Sequence, residues 1–137
     1  MKTIIRITLF ITLLSIISFA DEYAVISNNK MKDLSTAQIK AIFLKKITVV
    51  NNIKVIPVNL GARDPLREKF EKKVIKIKFS RLKSYWTKHH YLGHRPPISM
   101  KSEASVKAFV QKVDGAIGYI NASNVDDSVK VIYRWSE

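Results

Sequence analysis

Apolar positions along the chain switch between two periods, and the switches mark out the elements. "YAVISN" (Tyr23 to Asn28) is a short, continuous apolar run of the kind a buried strand carries. In "DLSTAQIKAIF" the period changes to that of a helix, with Ile39, Ile42 and Phe43 on one face. Ser35 stands at the N-cap and Gln38 at the third helical position, a capping box, with Leu34 and Ile39 placed for a hydrophobic staple. "KKITVVNNIKVIPVNL" predicts two β-rich runs that turn at Asn51-Asn52, because asparagine tolerates the left-handed backbone of a tight hairpin. The second run, Ile53 to Leu60, is apolar at neighbouring as well as alternate positions. A strand covered on both faces has that pattern, which calls for helices on both sides of a sheet.

Beyond Gly61 the period is helical again. Asp64 is a good N-cap and Pro65 a good first helical residue, since its fixed φ suits that position and the missing N–H is not needed there. Leu66, Phe70, Val74 and Ile77 form the inward stripe; Lys69, Lys72, Lys73 and Lys76 lie off it and predict a basic outer face, with Glu68 and Lys72 spaced to pair. A further helix is expected from about Ser80 to His90, with Leu82, Tyr85, Trp86 and His89 on its mostly apolar face. "LGHRPPISMKS" reads as an irregular linker around Gly93 and Pro96-Pro97. Ser102 then caps a helix that turns Val106, Phe109, Val110 and Val113 inward and ends at Gly115. "AIGYI" and "SVKVIYRW" supply the last strands, so strands and helices alternate and the fold class is α/β.

The first twenty residues do not belong to this pattern. "MKTIIRITLFITLLSIISFA" has a basic start, an apolar run from Ile7 to Ile17 and the small-x-small ending Ser18-Phe19-Ala20 of a signal-peptidase site. That run is short for a membrane span, which needs roughly 20 apolar residues. We therefore expect a signal peptide over residues 1–20, cleavage after Ala20, and an exported, periplasmic domain over residues 21–137. No cysteine stands near the site, which excludes a lipid-anchored form, and with none anywhere in the chain the domain relies on packing alone.

Charge narrows the partners. Of 24 Lys and Arg, Lys2 and Arg6 fall in the leader, so 22 basic residues remain against 11 acidic ones, densest between Lys69 and Lys88. That balance suits anionic material such as phosphate-rich ligands or envelope headgroups. Catalytic signatures are missing: there is no G-x-S-x-G, P-loop or H-E-x-x-H, and the scattered acids offer no acid/base pair. An enzyme is not expected. His89, His90 and His94 lack a neighbouring cysteine or carboxylate and no metal is assigned to them. Tyr85, Trp86 and Tyr91 have the spacing of core residues rather than of a base-stacking platform, so no nucleic acid is expected.

"LSTAQIKAIFLKK", "IKVIPVNL", "DPLREKF", "SYW", "RPP" and "KSEASVKAFVQKVDGAIGYI" follow one another in an order and at spacings that resemble the phosphate-type substrate-binding proteins of ABC transporters, in particular their short single-lobe relatives. The resemblance spans roughly Tyr23 to Ile120, and "VDGAIGYI" is similar to the family's proline-glycine-alanine-isoleucine-glycine-tyrosine motif with Asp114 at the proline. It implies one periplasmic-binding-protein-like (type II) lobe, a mixed sheet flanked by helices, no cofactor, and phosphate or a similar oxyanion as ligand. ABC transporter membrane components or another envelope protein are the implied partners, and two copies pairing would complete a cleft.

The family's anion loop resembles an arginine, three residues, then serine-glycine-threonine, and "VNLGARDPLREKF" departs from it. Aligned on Arg67 and Phe70, Leu60 takes the arginine position and Asp64, Pro65 and Leu66 the other three. Proline has no N–H, leucine no hydroxyl, and the Asp64 carboxylate repels a phosphate. The oxyanion contacts expected are Arg63, Arg67, Lys101 and the helix start at Ser102. The alternative is an exported module that keeps the fold without the phosphate site and engages a protein partner or anionic envelope surface through its basic face.

Overall fold

The computed structural model describes residues 21–137; the expected leader and its cleavage site lie outside the described residues. In chain order the elements are β1 (Glu22–Ser27), α1 (Thr36–Phe43), β2 (Val49–Val50), β3 (Ile53–Lys54), β4 (Ile56–Leu60), α2 (Pro65–Phe70), a π-helical turn (Glu71–Ile75), α3 (Phe79–Tyr91), β5 (Ile98–Met100), α4 (Glu103–Lys112), β6 (Ala116–Asn121) and β7 (Lys130–Ser136). Five strands form one sheet in the order β5-β4-β6-β1-β7. β4 runs parallel to β5 and β6, while β1 is antiparallel to both β6 and β7, so the sheet is mixed.

Local sequence accounts for most element boundaries. The Ser35–Gln38 capping box is formed, with the Gln38 N–H donating to Ser35 Oγ at 3.2 Å and the Ser35 N–H to Gln38 Oε1 at 2.9 Å. Asn51 and Asn52 both have positive φ and turn the β2–β3 hairpin. The core lies where the sheet meets α1, α2 and α4. Phe70 stacks on Tyr119 at 4.0 Å between ring centroids, and Phe43 meets Phe70 edge-on at 4.7 Å. On the α4 face Gly118 lets the helix come close: an added Cβ would stand 2.5 Å from a Val106 methyl.

Several expectations are corrected. The run Ile53–Leu60 is two strands: β3 pairs only with β2, and the chain re-enters at Ile56 to join the main sheet. The "linker" around Pro96-Pro97 holds β5, an edge strand too short to show a period of its own. The predicted long helix after Asp64 changes to a π turn, closed by the Lys76 N–H on Glu71 O at 2.7 Å, and stops where Lys76 turns left-handed (φ 58°). The shift buries Ile75 with Val74 and leaves Ile77 half-buried. Instead of Glu68–Lys72, the i, i+4 ion pair is Arg67–Glu71. Lys69 is not a free outer cation: its ammonium donates to the Tyr23 hydroxyl at 2.8 Å and lies 3.2 Å from Glu137, contacts that raise its pKa.

Helix α4 ends at Lys112, with Val113 already extended, so Gly115 is not its cap. Gly115 is needed because its φ is +81° and an added Cβ would lie 1.9 Å from the Lys54 carbonyl oxygen. Tyr91, expected in the core, is 85% exposed beyond the packed part of α3.

Candidate functional site

Three strands, β5, β4 and β6, end at the same edge of the sheet because they run parallel; Leu60 lies opposite Met100 in the β4–β5 ladder. Loops leave this edge at Gly61, Lys101 and Ala122, and α2 and α4 begin from the first two. In open α/β sheets the carboxyl edge is where ligands are held, since loops and helix N-termini converge there.

The expected contacts all reach this region in different states. Arg63 is exposed in the tight loop closed by the Asp64 N–H on Gly61 O at 2.9 Å. Lys101 is exposed directly after β5, and neither residue has an ion-pair partner among the described residues. Ser102 is the N-cap of α4, its Oγ accepting from the Ser105 N–H at 3.1 Å. Arg67 is half-buried and turned to internal partners: Nε donates to Glu71 Oε1 at 2.7 Å and Nη1 to the Leu60 carbonyl at 3.0 Å. It therefore ties α2 to the end of β4.

Carboxylates of the chain itself also take up backbone donors at this edge. Asp64 Oδ1 accepts from the Leu66 N–H at 2.9 Å at the start of α2. Glu103 accepts from the Asn121 N–H at the end of β6, and from Asn124 Nδ2 at 3.3 Å. Even the Leu60 N–H is used, donating to the buried Tyr119 hydroxyl at 3.2 Å, which donates in turn to Asn59 Oδ1 at 2.8 Å. Burial pushes the Tyr119 phenol well above its ordinary pKa, so it keeps the proton it donates. Sequence reasoning did not single out Glu71, Glu103 or the Asn59–Tyr119 pair. The i, i+4 spacing of Arg67 and Glu71 was available as a signal; the reach of Glu103 to Asn121 exists only once α4 packs beside β6.

Beside this edge an open groove of about 530 Å³ runs between α2 with its π turn and α3. Arg67 and Glu71 stand at one wall, Leu82 and Trp86 on the floor, and the exposed rings of Phe79 and Tyr91 at the rim. No helix among the described residues is long and apolar enough to cross a membrane.

No protein-family model matches the chain, and no curated protein matches it. Solved structures do. An ABC-type phosphate transport receptor from Vibrio cholerae is similar at 22% identity and a TM-score of 0.65, over 83% of this chain and 47% of the receptor. A phosphate ABC transporter substrate-binding protein from Clostridium perfringens, solved with bound phosphate, is similar at 28% identity and a TM-score of 0.66, over 82% of this chain and 44% of that one. PstS from Borrelia burgdorferi shares 13% identity at a TM-score of 0.61, over 84% of this chain and 48% of PstS. The chain thus spans about half the length of each of these proteins. Its fold, a five-stranded mixed sheet flanked by helices, is similar to about half of each of the phosphate ABC transporter substrate-binding proteins in these solved structures.

Proposed function

We propose that this protein is an exported, non-enzymatic binding protein of the substrate-binding kind that meets phosphate or a similar oxyanion at the carboxyl ends of β4 and β5 and, alone, holds it weakly. Arg63 and Lys101 supply the attraction, with Arg67 and the Ser102 helix start framing the edge. The observation that carries the reading is the prior use of this edge by the chain's own groups: Glu71 on Arg67, Asp64 on the Leu66 N–H, Glu103 on the Asn121 N–H. An incoming anion is left with exposed side chains. Two solvent-screened contacts of up to about 1 kcal/mol each give affinities of roughly tens of millimolar or weaker.

Half a cleft also leaves the anion wet, and a second copy facing the first would exclude that water. Export to the periplasm follows from the expected leader, and ABC transporter membrane components are the natural partners of such a receptor. A second reading is favoured by the lysines Lys72, Lys73, Lys76 and Lys78, exposed and without ion-pair partners among the described residues: the basic face engages an anionic envelope surface.

An NMR titration with phosphate, read at the amides of Arg63 and Lys101, tests the first reading, with sedimentation run in parallel. Shifts confined to the β4–α2 and β5–α4 loops, weakened in Arg63→Ala/Lys101→Ala, are expected. Shifts absent from those loops at tens of millimolar phosphate would remove the strand-edge site.

A further inference from the structure

A basic cleft lies away from the strand edge. Where the end of α1 faces the start of α3 there is a cleft of about 520 Å³ whose lining is Lys40, Lys76, Ile77, Lys78, Arg81 and Tyr85. Three lysines and an arginine are among the lining residues, and no carboxylate lines the cleft. None of the four is in an ion pair among the described residues. Gathering like charge without a counter-ion destabilises the fold, and the chain does so around a concavity rather than on a convex, fully solvated face.

The backbone fixes this arrangement. The π turn ends at Lys76 in the left-handed region (φ 58°), a conformation unfavourable to a lysine, and this sends the chain round the cleft to Lys78. Tyr85 holds the opposite wall, its hydroxyl donating to the Leu44 carbonyl at 2.6 Å just past α1. Lys78 is the N-cap of α3 but makes no side-chain cap, and the first turn of α3 carries no acidic residue. In α2 and α4 the same position is filled by Asp64 and Ser102. The nearest carboxylates in an adjoining cleft are Glu68 and Glu71, the latter already paired with Arg67. That adjoining cleft shares Lys76, Ile77 and Lys78 with this one and opens beside Phe79, which is 68% exposed.

We propose that this cleft binds a ligand carrying two or more closely spaced phosphate groups, held by Lys40, Lys76, Lys78 and Arg81. One phosphate would satisfy two of the cations; four cations around one concavity match a diphosphate or a bisphosphorylated headgroup. The proposal rests on the reading of the basic face as the surface that meets anionic envelope material, and it gives that face a defined site. The same chemistry comes from a soluble diphosphate or from a phosphorylated lipid.

The experiment measures binding of the exported protein to pyrophosphate by calorimetry, and to phosphatidylcholine vesicles with and without a bisphosphorylated lipid by co-sedimentation, all at physiological salt. Lys76→Asn/Lys78→Gln removes two of the charges with a residue at position 76 that tolerates left-handed backbone. Lys88→Gln/Lys112→Gln removes the same charge elsewhere. Lys78→Asp places an internal carboxylate at the start of α3, where it caps the helix. The expected result is at least a tenfold loss in Lys76→Asn/Lys78→Gln, less than twofold in the Lys88/Lys112 control, and loss of binding in Lys78→Asp with an unchanged or higher melting temperature. Pyrophosphate binding identifies a soluble source, and binding to phosphorylated vesicles alone identifies the lipid; either supports the site. Equal losses in the two double variants would overturn it while leaving diffuse attraction to an anionic surface intact. Absence of binding to both probes would overturn the site and the reading beneath it. A greater loss in Arg63→Ala/Lys101→Ala than in Lys76→Asn/Lys78→Gln would return the ligand to the strand edge and overturn the cleft.

Discussion

Glu71→Gln separates the two roles an arginine at this edge can play. In the wild-type protein Glu71 accepts from Arg67 Nε at 2.7 Å, and the two side chains are only 20% and 11% exposed for Arg and Glu respectively. Glutamine keeps the acceptor oxygen and the volume but loses the charge. The bond from the guanidinium to a glutamine oxygen stays charge-assisted on the arginine side, so what disappears is the attraction of the opposite charge, about 1 kcal/mol for a partly exposed pair. A half-buried guanidinium without a counter-ion adds a further penalty, bringing the total to about 1–2 kcal/mol. For a domain of this size that lowers the melting temperature by roughly 4–8 °C. Because the lost partner was an anion, phosphate then has a further reason to bind: added phosphate is expected to raise the melting temperature of Glu71→Gln by more than it raises that of wild type. Thermal denaturation at graded phosphate, with chloride matched for ionic strength, reads both effects. An unchanged melting temperature in the variant, or identical responses of the two proteins to phosphate, would refute the idea that Glu71 already serves as Arg67's anion.

Three other changes probe the frame that holds the edge. Gly115→Ala meets both a φ of +81° and the Lys54 carbonyl at 1.9 Å, and is expected to cost upwards of about 3 kcal/mol, visible as a large drop in the urea midpoint; a drop under about 1 kcal/mol would contradict the close approach of the chain there. Tyr119→Phe removes the acceptor for the Leu60 N–H and the donor to Asn59 Oδ1, and about 1–3 kcal/mol of stability should go with them, measured by chemical denaturation. Asp126 concerns acid stability: its hydrogen bond from Lys107, and then those from Ser128, pull its pKa from 3.8 down to about 2. A depressed carboxylate stabilises the fold above its unfolded pKa and loses that contribution as pH falls through the folded one. Asp126→Asn should therefore flatten the stability profile between about pH 4 and pH 2 and leave its shape near neutrality unchanged.

The fold was legible wherever one local rule decided the outcome. The Ser35–Gln38 box, the Asn51-Asn52 turn and the Asp64-Pro65 helix start are written in neighbouring residues, and all three are found in place. What escaped depends on partners distant in sequence. β5 is only three residues long and is a strand because Val58, Asn59 and Leu60 lie alongside it. Lys69 reads as an outer lysine until Tyr23 and Glu137 come within its reach. The π turn shifts the helical register by one residue after Phe70, so a stripe extrapolated at a constant period selects Ile77 where the structure buries Ile75.

The edge divides in the same way. Substitution of the family's gripping positions by Leu60, Asp64, Pro65 and Leu66 was readable directly, and Asp64 caps α2 as its type and place imply. That Arg67 turns inward to Glu71 and the Leu60 carbonyl, and that Glu103 reaches Asn121, could not be read from the alignment, because an arginine at a helix start is compatible with either an internal or an external anion.

Calorimetric titration of inorganic phosphate into the protein, at low and at physiological salt, bears on the whole reading. With the edge already matched by Asp64, Glu71 and Glu103, binding at low salt is expected to be no tighter than about millimolar, and little heat should remain at physiological ionic strength, where exposed charges are screened beyond about 8 Å. Micromolar binding that survives salt and disappears in Arg67→Ala would contradict it, because an arginine already matched by Glu71 would then be the main grip on the ligand.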